Sequence, residues 1–213
     1  MFGLTVPVLI SRIVVLVIAF TVHEFAHAWT ADRFGDNTPR ADGRLTLNPL
    51  AHLDPLGSLL LLLTGFGWAR PVMVDPYALK RRSPAAPMLV ALAGPFSNLL
   101  LALAAALLVQ VGLVPYAVQS GAFLPTPYLF LGQFVLINLL LMLFNLIPLA
   151  PLDGEKVLLY FLPPSGQDFM LRIRPYGPLL LLALIFVLPL VGVDLLAIII
   201  GRPIQALYSW LMF

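Results

Sequence analysis

The 213-residue chain contains no cysteine, so disulfide bridges are excluded and the redox compartment leaves no mark on it. Charge is also scarce. Only 10% of residues are charged, against about 25% in soluble domains, while 61% are hydrophobic and mean hydropathy is +0.99. That balance excludes a soluble protein and predicts an all-α polytopic membrane protein. Net charge is only +2. The densest basic cluster, "LKRRS" at 79–83, suits a loop that sets membrane topology, and no tract is long enough to suggest a nucleic-acid partner. The opening "MFGLTVP" lacks a basic n-region and a cleavage site, so the first apolar run reads as a retained helix. No internal repeat or linker divides the chain, and its length suits one membrane domain of a few helices over 1–213.

What is present is a series of apolar blocks. They cover about 4–29, continuing as helix to Phe34, then 56–68, 88–111, 128–147 and 178–193. A last stretch, 195–213, is interrupted by "GRP" at 201–203, and whether it spans is left open. The second block is short of the roughly 20 residues that a spanning helix needs. Ten of the twelve Lys and Arg residues fall into three segments: Arg33, Arg40 and Arg44; Arg70, Lys80, Arg81 and Arg82; Lys156, Arg172 and Arg174. The loop 112–127 has none. The positive-inside rule places the three basic segments in the cytoplasm and that loop outside. This requires the second block to enter and return on one side, as a re-entrant hairpin over about 56–75 turning near Gly65, Phe66 and Gly67.

Three ionisable groups stand in the first apolar run, in "AFTVHEFAHAWTADRF". His23 and His27 are one helical turn apart on one face, so two imidazoles can share one zinc ion. Glu24 is one position round and can reach a water at that metal without ligating it. Two of the chain's three histidines form this pair, which sets the pattern above chance. A catalytic zinc wants a third protein ligand and an open position. Residue 33, six past His27, is arginine, so the extended motif with a third histidine is absent. His52, Asp54, Asp153, Glu155 and Asp194 remain as candidates. Topology favours Asp153: the helix before it ends on the same side of the membrane as the motif, whereas Asp194 lies at the far end of the fifth block. Pro148, Pro151 and Gly154 allow the chain to unwind there and aim a carboxylate sideways.

Taken together, "HEFAH", "AGPFSN" at 93–98 and "NLIPLAPLDG" at 145–154 resemble the site-2 protease family of intramembrane zinc metalloproteases. "NPLAHLDPLG" at 48–57 and "GWARPVMVDP" at 67–76 resemble its small prokaryotic branch, without a PDZ or CBS domain. The similarity covers about 19–155. It implies a three-helix catalytic core with an embedded hairpin, one zinc ion held by His23, His27 and Asp153, and Glu24 as catalytic base. The core would then occupy about 4–155, with one or two C-terminal membrane helices in about 156–213.

Several further residues are candidates. Asn145 sits eight residues before Asp153 and is read as a catalytic donor to a substrate carbonyl or oxyanion. Asn98 suits close helix packing, with substrate binding as the second reading. His52 reads as lining or structural, and Arg12 as reaching outward to the interface. The segment "WARPVMVD" at 68–75 offers an extended edge to a substrate strand, so Trp68, Arg70 and Val72 are candidate substrate-binding residues. The expected activity is an endopeptidase acting in or near a transmembrane segment, in the cell membrane, with its site toward the cytoplasm. The competing reading is a metal or proton transporter built on the same cluster. One compact site, with Glu24 between paired histidines, favours the enzyme.

Overall fold

The computed structural model describes residues 5–57, 67–117, 121 and 123–213. Among these residues every regular element is helical, and the one β feature is an isolated antiparallel bridge between Leu53 and Ala69. Three long helices form the core: α1 (Val6–Arg33), α2 (Ala86–Gln110) and α3 (Pro127–Asn145). Each has proline in its first turn, where the missing N–H costs nothing. Thr126 caps α3 by accepting from the Leu129 N–H at 3.1 Å. α1 ends at Arg33 with Phe34 as its cap, and Gly35 at φ 87° turns the chain away.

These helices meet through small residues. α1 buries Ser11, Ala19, Ala28 and Ala31, and α2 buries Ala91, Gly94, Ala102, Ala105 and Ala106. In lipid there is little hydrophobic drive between helices, so close backbone approach and van der Waals packing hold them together. Val15, Phe134, Val135 and Leu139 fill the remaining space. The larger apolar side chains, such as Leu100, Leu103 and Leu107, point outward.

After α3 the chain reverses through 146–152 into α4 (Asp153–Phe161). A Cβ at Gly154 would collide with the Leu146 and Ile147 carbonyls, so glycine is required for this reversal. The chain then enters a continuous helical run, α5 (Pro164–Leu190), which starts well before the predicted 178. α1, α2, α3 and α5 are long and apolar enough to cross a membrane.

The predicted break at 201–203 is absent. The helix passes from a π-turn at Ala197–Gly201 directly into α6 (Arg202–Met212). The wider π-turn relaxes the ladder where Pro203 can give no N–H. The same device, a π-turn at Ala183–Val187, precedes Pro189 in α5. α6 lies antiparallel along α3. Ile200 and Ile204 pack with Ile147 and Leu152, Tyr208 reaches Gly132, and the Leu211 carbonyl accepts from Gln110 Nε2 at 3.1 Å.

The limbs of the expected hairpin lie side by side. The Arg70 N–H donates to the His52 carbonyl at 2.8 Å, and Gly57 lies so close to Trp68 that a Cβ would collide with it. Its expected turn at Gly65 and Phe66 lies outside the described residues, as do 118–120 and 122 of the loop 112–127. Arg12, expected to reach the outer interface, is half-buried, and its Nε donates to Gln133 Oε1 on α3 at 3.3 Å.

Candidate functional site

α1 presents His23, Glu24 and His27 inward, at 5%, 8% and 8% exposure. The two rings stand edge to face, 4.6 Å between centroids, with Nε2 atoms 3.0 Å apart. The reversal after α3 brings in Asp153, whose Oδ2 is 3.2 Å from each Nε2. Three donor atoms thus form a nearly equilateral triangle. A tetrahedral zinc with bonds of ~2.0–2.1 Å spaces its ligands about 3.3 Å apart, so the donor set fits that ion in chemistry and in size. Among the described residues this is the one such cluster.

The far nitrogens are also fixed. His23 Nδ1–H donates to Asn98 Oδ1 at 2.6 Å, and His27 Nδ1–H donates to the Val90 carbonyl at 2.7 Å. With both protons on Nδ1, both Nε2 lone pairs face Asp153. Asn98 Nδ2 in turn donates to Asn138 Oδ1 at 2.9 Å, and Asn138 Nδ2 to the Phe134 carbonyl at 2.9 Å. Both amides are fully buried. Asn98 is therefore corrected from a substrate contact to the partner of His23. Gly94 completes the pocket for the rings, because a Cβ there would collide with both imidazoles.

Glu24 Oε2 accepts the Val72 N–H at 3.1 Å. Glu24, His23, His27 and Asp153 all face one cavity of about 1170 Å³, whose wall includes Trp68, Val72, Asn145 and Lys156. Asn145 also donates to its own helix, Nδ2 to the Leu141 carbonyl at 3.0 Å. Arg70 is not in the wall; its N–H is held by His52. The segment 67–75 forms no strand beyond the bridge at Ala69. The N–H groups of Arg70, Val72 and Asp75 are already engaged by His52, Glu24 and Asp36, which leaves little edge for an added strand.

The other ligand candidates are occupied elsewhere. His52 Nε2–H donates to the Thr46 carbonyl at 2.7 Å, and Asp54 Oδ1 accepts from the Gly57 N–H at 2.7 Å. Glu155 pairs with Arg174 at 2.7 Å, and Asp194 Oδ1 accepts from the Ala197 N–H at 2.9 Å. Asn138 and Gly94 were missed as site residues. The signal for Asn138 was present, since an amide within "LINLLL" is as costly as the one at Asn98. Gly94 carried none beyond its place in "AGPFSN", because a close approach is a tertiary fact.

No family model and no solved structure matches the chain. Curated relatives do, under the name "Putative zinc metalloprotease". YwhC of Bacillus subtilis is 43% identical over 84% of this chain and 80% of its own length. Rip2 of Mycolicibacterium smegmatis is 33% identical over 77% of this chain and 62% of its own, and Rip2 of Mycobacterium tuberculosis is 32% identical over 86% and 69%. At the identity and coverage shared with YwhC, on a helical membrane scaffold with a zinc-sized His, His, Asp cluster, the chain belongs to the site-2 protease family and is a zinc metalloprotease.

Proposed function

We propose that the protein is an intramembrane endopeptidase that hydrolyses a peptide bond within or near a transmembrane segment of a membrane-protein substrate. The observation that carries this reading is the Asp153 carboxylate meeting both imidazoles at 3.2 Å against α1, a helix long and apolar enough to cross a membrane, with Glu24 beside them. His27 lies six residues before the end of α1, about 9 Å inside it at ~1.5 Å per residue. In this reading the chain is a single membrane-embedded protease domain in the cell membrane, with its site opening toward the cytoplasm.

His23, His27 and Asp153 would hold one zinc ion. When bound, zinc supplies Lewis acidity, polarising a carbonyl and lowering the pKa of water toward ~7. Glu24 takes a proton from the attacking water and delivers it to the departing amine nitrogen. Asn145 faces the substrate from the cavity wall, and Trp68 and Val72 bound the cleft in which an unwound substrate lies. Much of the cavity wall is apolar, and the His23, His27 and Asp153 donors converge at one point of it. A transport pathway would instead need polar groups in file through the membrane.

The test is cleavage of a single-span substrate by purified protein in lipid, with and without chelator. Chelation should abolish cleavage and added zinc should restore it. Metal-dependent flux across vesicles with no cleavage would replace this reading with the transporter.

A further inference from the structure

Arg44 lies in the loop after α1 and is 4% exposed. A buried guanidinium normally sits against a carboxylate, yet among the described residues none lies within ion-pair distance of it. Its donors go to the main chain instead. Nη1 donates to the Ala51 carbonyl, and Nη2 donates to the Pro71 carbonyl at 2.9 Å. That second carbonyl belongs to the same peptide unit as the Val72 N–H, which donates to Glu24 Oε2 at 3.1 Å.

A peptide unit is planar, and in the trans form its C=O and N–H point in opposite directions. Arg44 grips one end of the Pro71–Val72 plane, and Glu24 receives the other. Rotation of that plane would withdraw the N–H and turn a carbonyl oxygen toward the carboxylate, which repels it. A cation on the oxygen also polarises the peptide and strengthens the N–H bond on the far side. The neighbouring anchors, the Arg70 N–H on the His52 carbonyl and the Asp75 N–H on Asp36, hold the segment in place without fixing this plane.

We infer that Arg44 is a positioning residue for Glu24, acting through the Pro71–Val72 peptide to hold the carboxylate in its working orientation. The inference rests on Glu24 being the general base. Arg44 touches neither substrate nor metal, so its effect falls on turnover and not on binding. Lysine at this position keeps the charge but lacks the fork that spans two carbonyls, and it substitutes in part.

The test compares wild type, Arg44→Met, Arg44→Lys, Val72→Pro and the Arg44→Met, Val72→Pro double variant, with Glu24→Gln as control. Zinc per protein, kcat and KM are measured on one transmembrane substrate in lipid. Val72→Pro removes the N–H itself while leaving Arg44 in place. Arg44→Met should lower kcat about 10-fold or more, with zinc and KM near wild type; Val72→Pro, which also alters the cleft wall, is read on kcat and zinc alone and should fall about as far. Arg44→Lys should fall between, and the double variant should be no worse than either single one, because both break one relay. Wild-type kcat in Arg44→Met, a raised KM with kcat kept, lost zinc, or additive losses would each overturn the inference. Amide exchange across 67–75 is read in parallel, and Arg44→Met should speed exchange at Val72. If wild type binds zinc but cuts nothing, the protease reading fails separately. Exchange at Val72 then still decides: faster in Arg44→Met upholds the positioning role, and unchanged overturns it.

Discussion

At the scale of single residues, adjacent positions on α1 have separate duties. Glu24 is proposed to move a proton and His23 to hold the metal. Glu24→Gln keeps size and shape but cannot act as a base, and general-base assistance is worth ~10²–10⁴-fold. Cleavage should fall by that range while zinc content stays at the wild-type level, and His23→Ala should lose both. Paired zinc and cleavage assays read the difference; zinc loss in Glu24→Gln would make Glu24 a ligand. Two residues act on the metal indirectly. Asn138→Leu removes the 2.9 Å acceptor of Asn98 Nδ2 and leaves it only the long bond to the Ala19 carbonyl at 3.5 Å, in a fully buried site. Loss of such an outer partner typically costs 10–100-fold in metal affinity. Competition with a chromogenic chelator should show a zinc affinity weakened by about that range, with the helices intact by circular dichroism. Gly94→Ala puts a methyl group where both imidazoles lie, so it should weaken zinc binding although the change is one carbon. Full zinc affinity in Gly94→Ala would show that the rings have room to move.

At the scale of elements, the placement of the re-entrant segment decides topology. Its limbs adjoin at Leu53 and Ala69, so chain on either side of it should face the same compartment. Asp36 is buried, held between the Thr38 and Asp75 N–H groups, and a label there would report the loop poorly. Cysteines introduced at Asp42, Arg81 and Gln167 are better reporters. In intact cells all three should resist a membrane-impermeant thiol reagent and react once the membrane is opened. Labelling of Asp42 and Arg81 from opposite sides would turn the segment into a true span and reverse the orientation of everything after it. Within the helices, proline reads differently by context. Pro7 and Pro127 start helices, Pro95 is carried inside α2, and Pro189 and Pro203 each follow a π-turn. A proline in an apolar run therefore need not mark a helix end: a wider turn absorbs the missing N–H at Pro189 and Pro203, and α2 carries Pro95 without one.

At the scale of the whole molecule, a zinc ion in the proposed site would tie α1 to the start of α4. Purified protein should carry about one zinc, since three protein ligands leave one open position in a tetrahedral site. Asp153→Ala should weaken zinc binding strongly, and Asp194→Ala should not, because Asp194 caps the helix leading to α6. Metal analysis of both variants checks this, and equal retention would remove Asp153 from the ligand set. Chelation should also lower the melting temperature of the wild type more than that of Asp153→Ala, since ligand binding to the native state stabilises it.

The sequence by itself determined the membrane class, the three core helices within a few residues, and the His23, Glu24 and His27 face. These follow from local properties: apolar run length, charge distribution and helical period. It also pointed to Asp153, through the rule that helices ending on the same side can share a site. Tertiary structure decided what depends on approach between distant segments. Asn98 bonds to His23, Arg12 Nε to Gln133, and the Arg70 N–H to the His52 carbonyl. Asn98 is fully buried, where no water can serve it, so it bonds to the partner the packing brings nearest. Which partner that is, and that Gly94 must lack a side chain to let two rings in, is written in the distances between helices and not in the order of residues along any one of them.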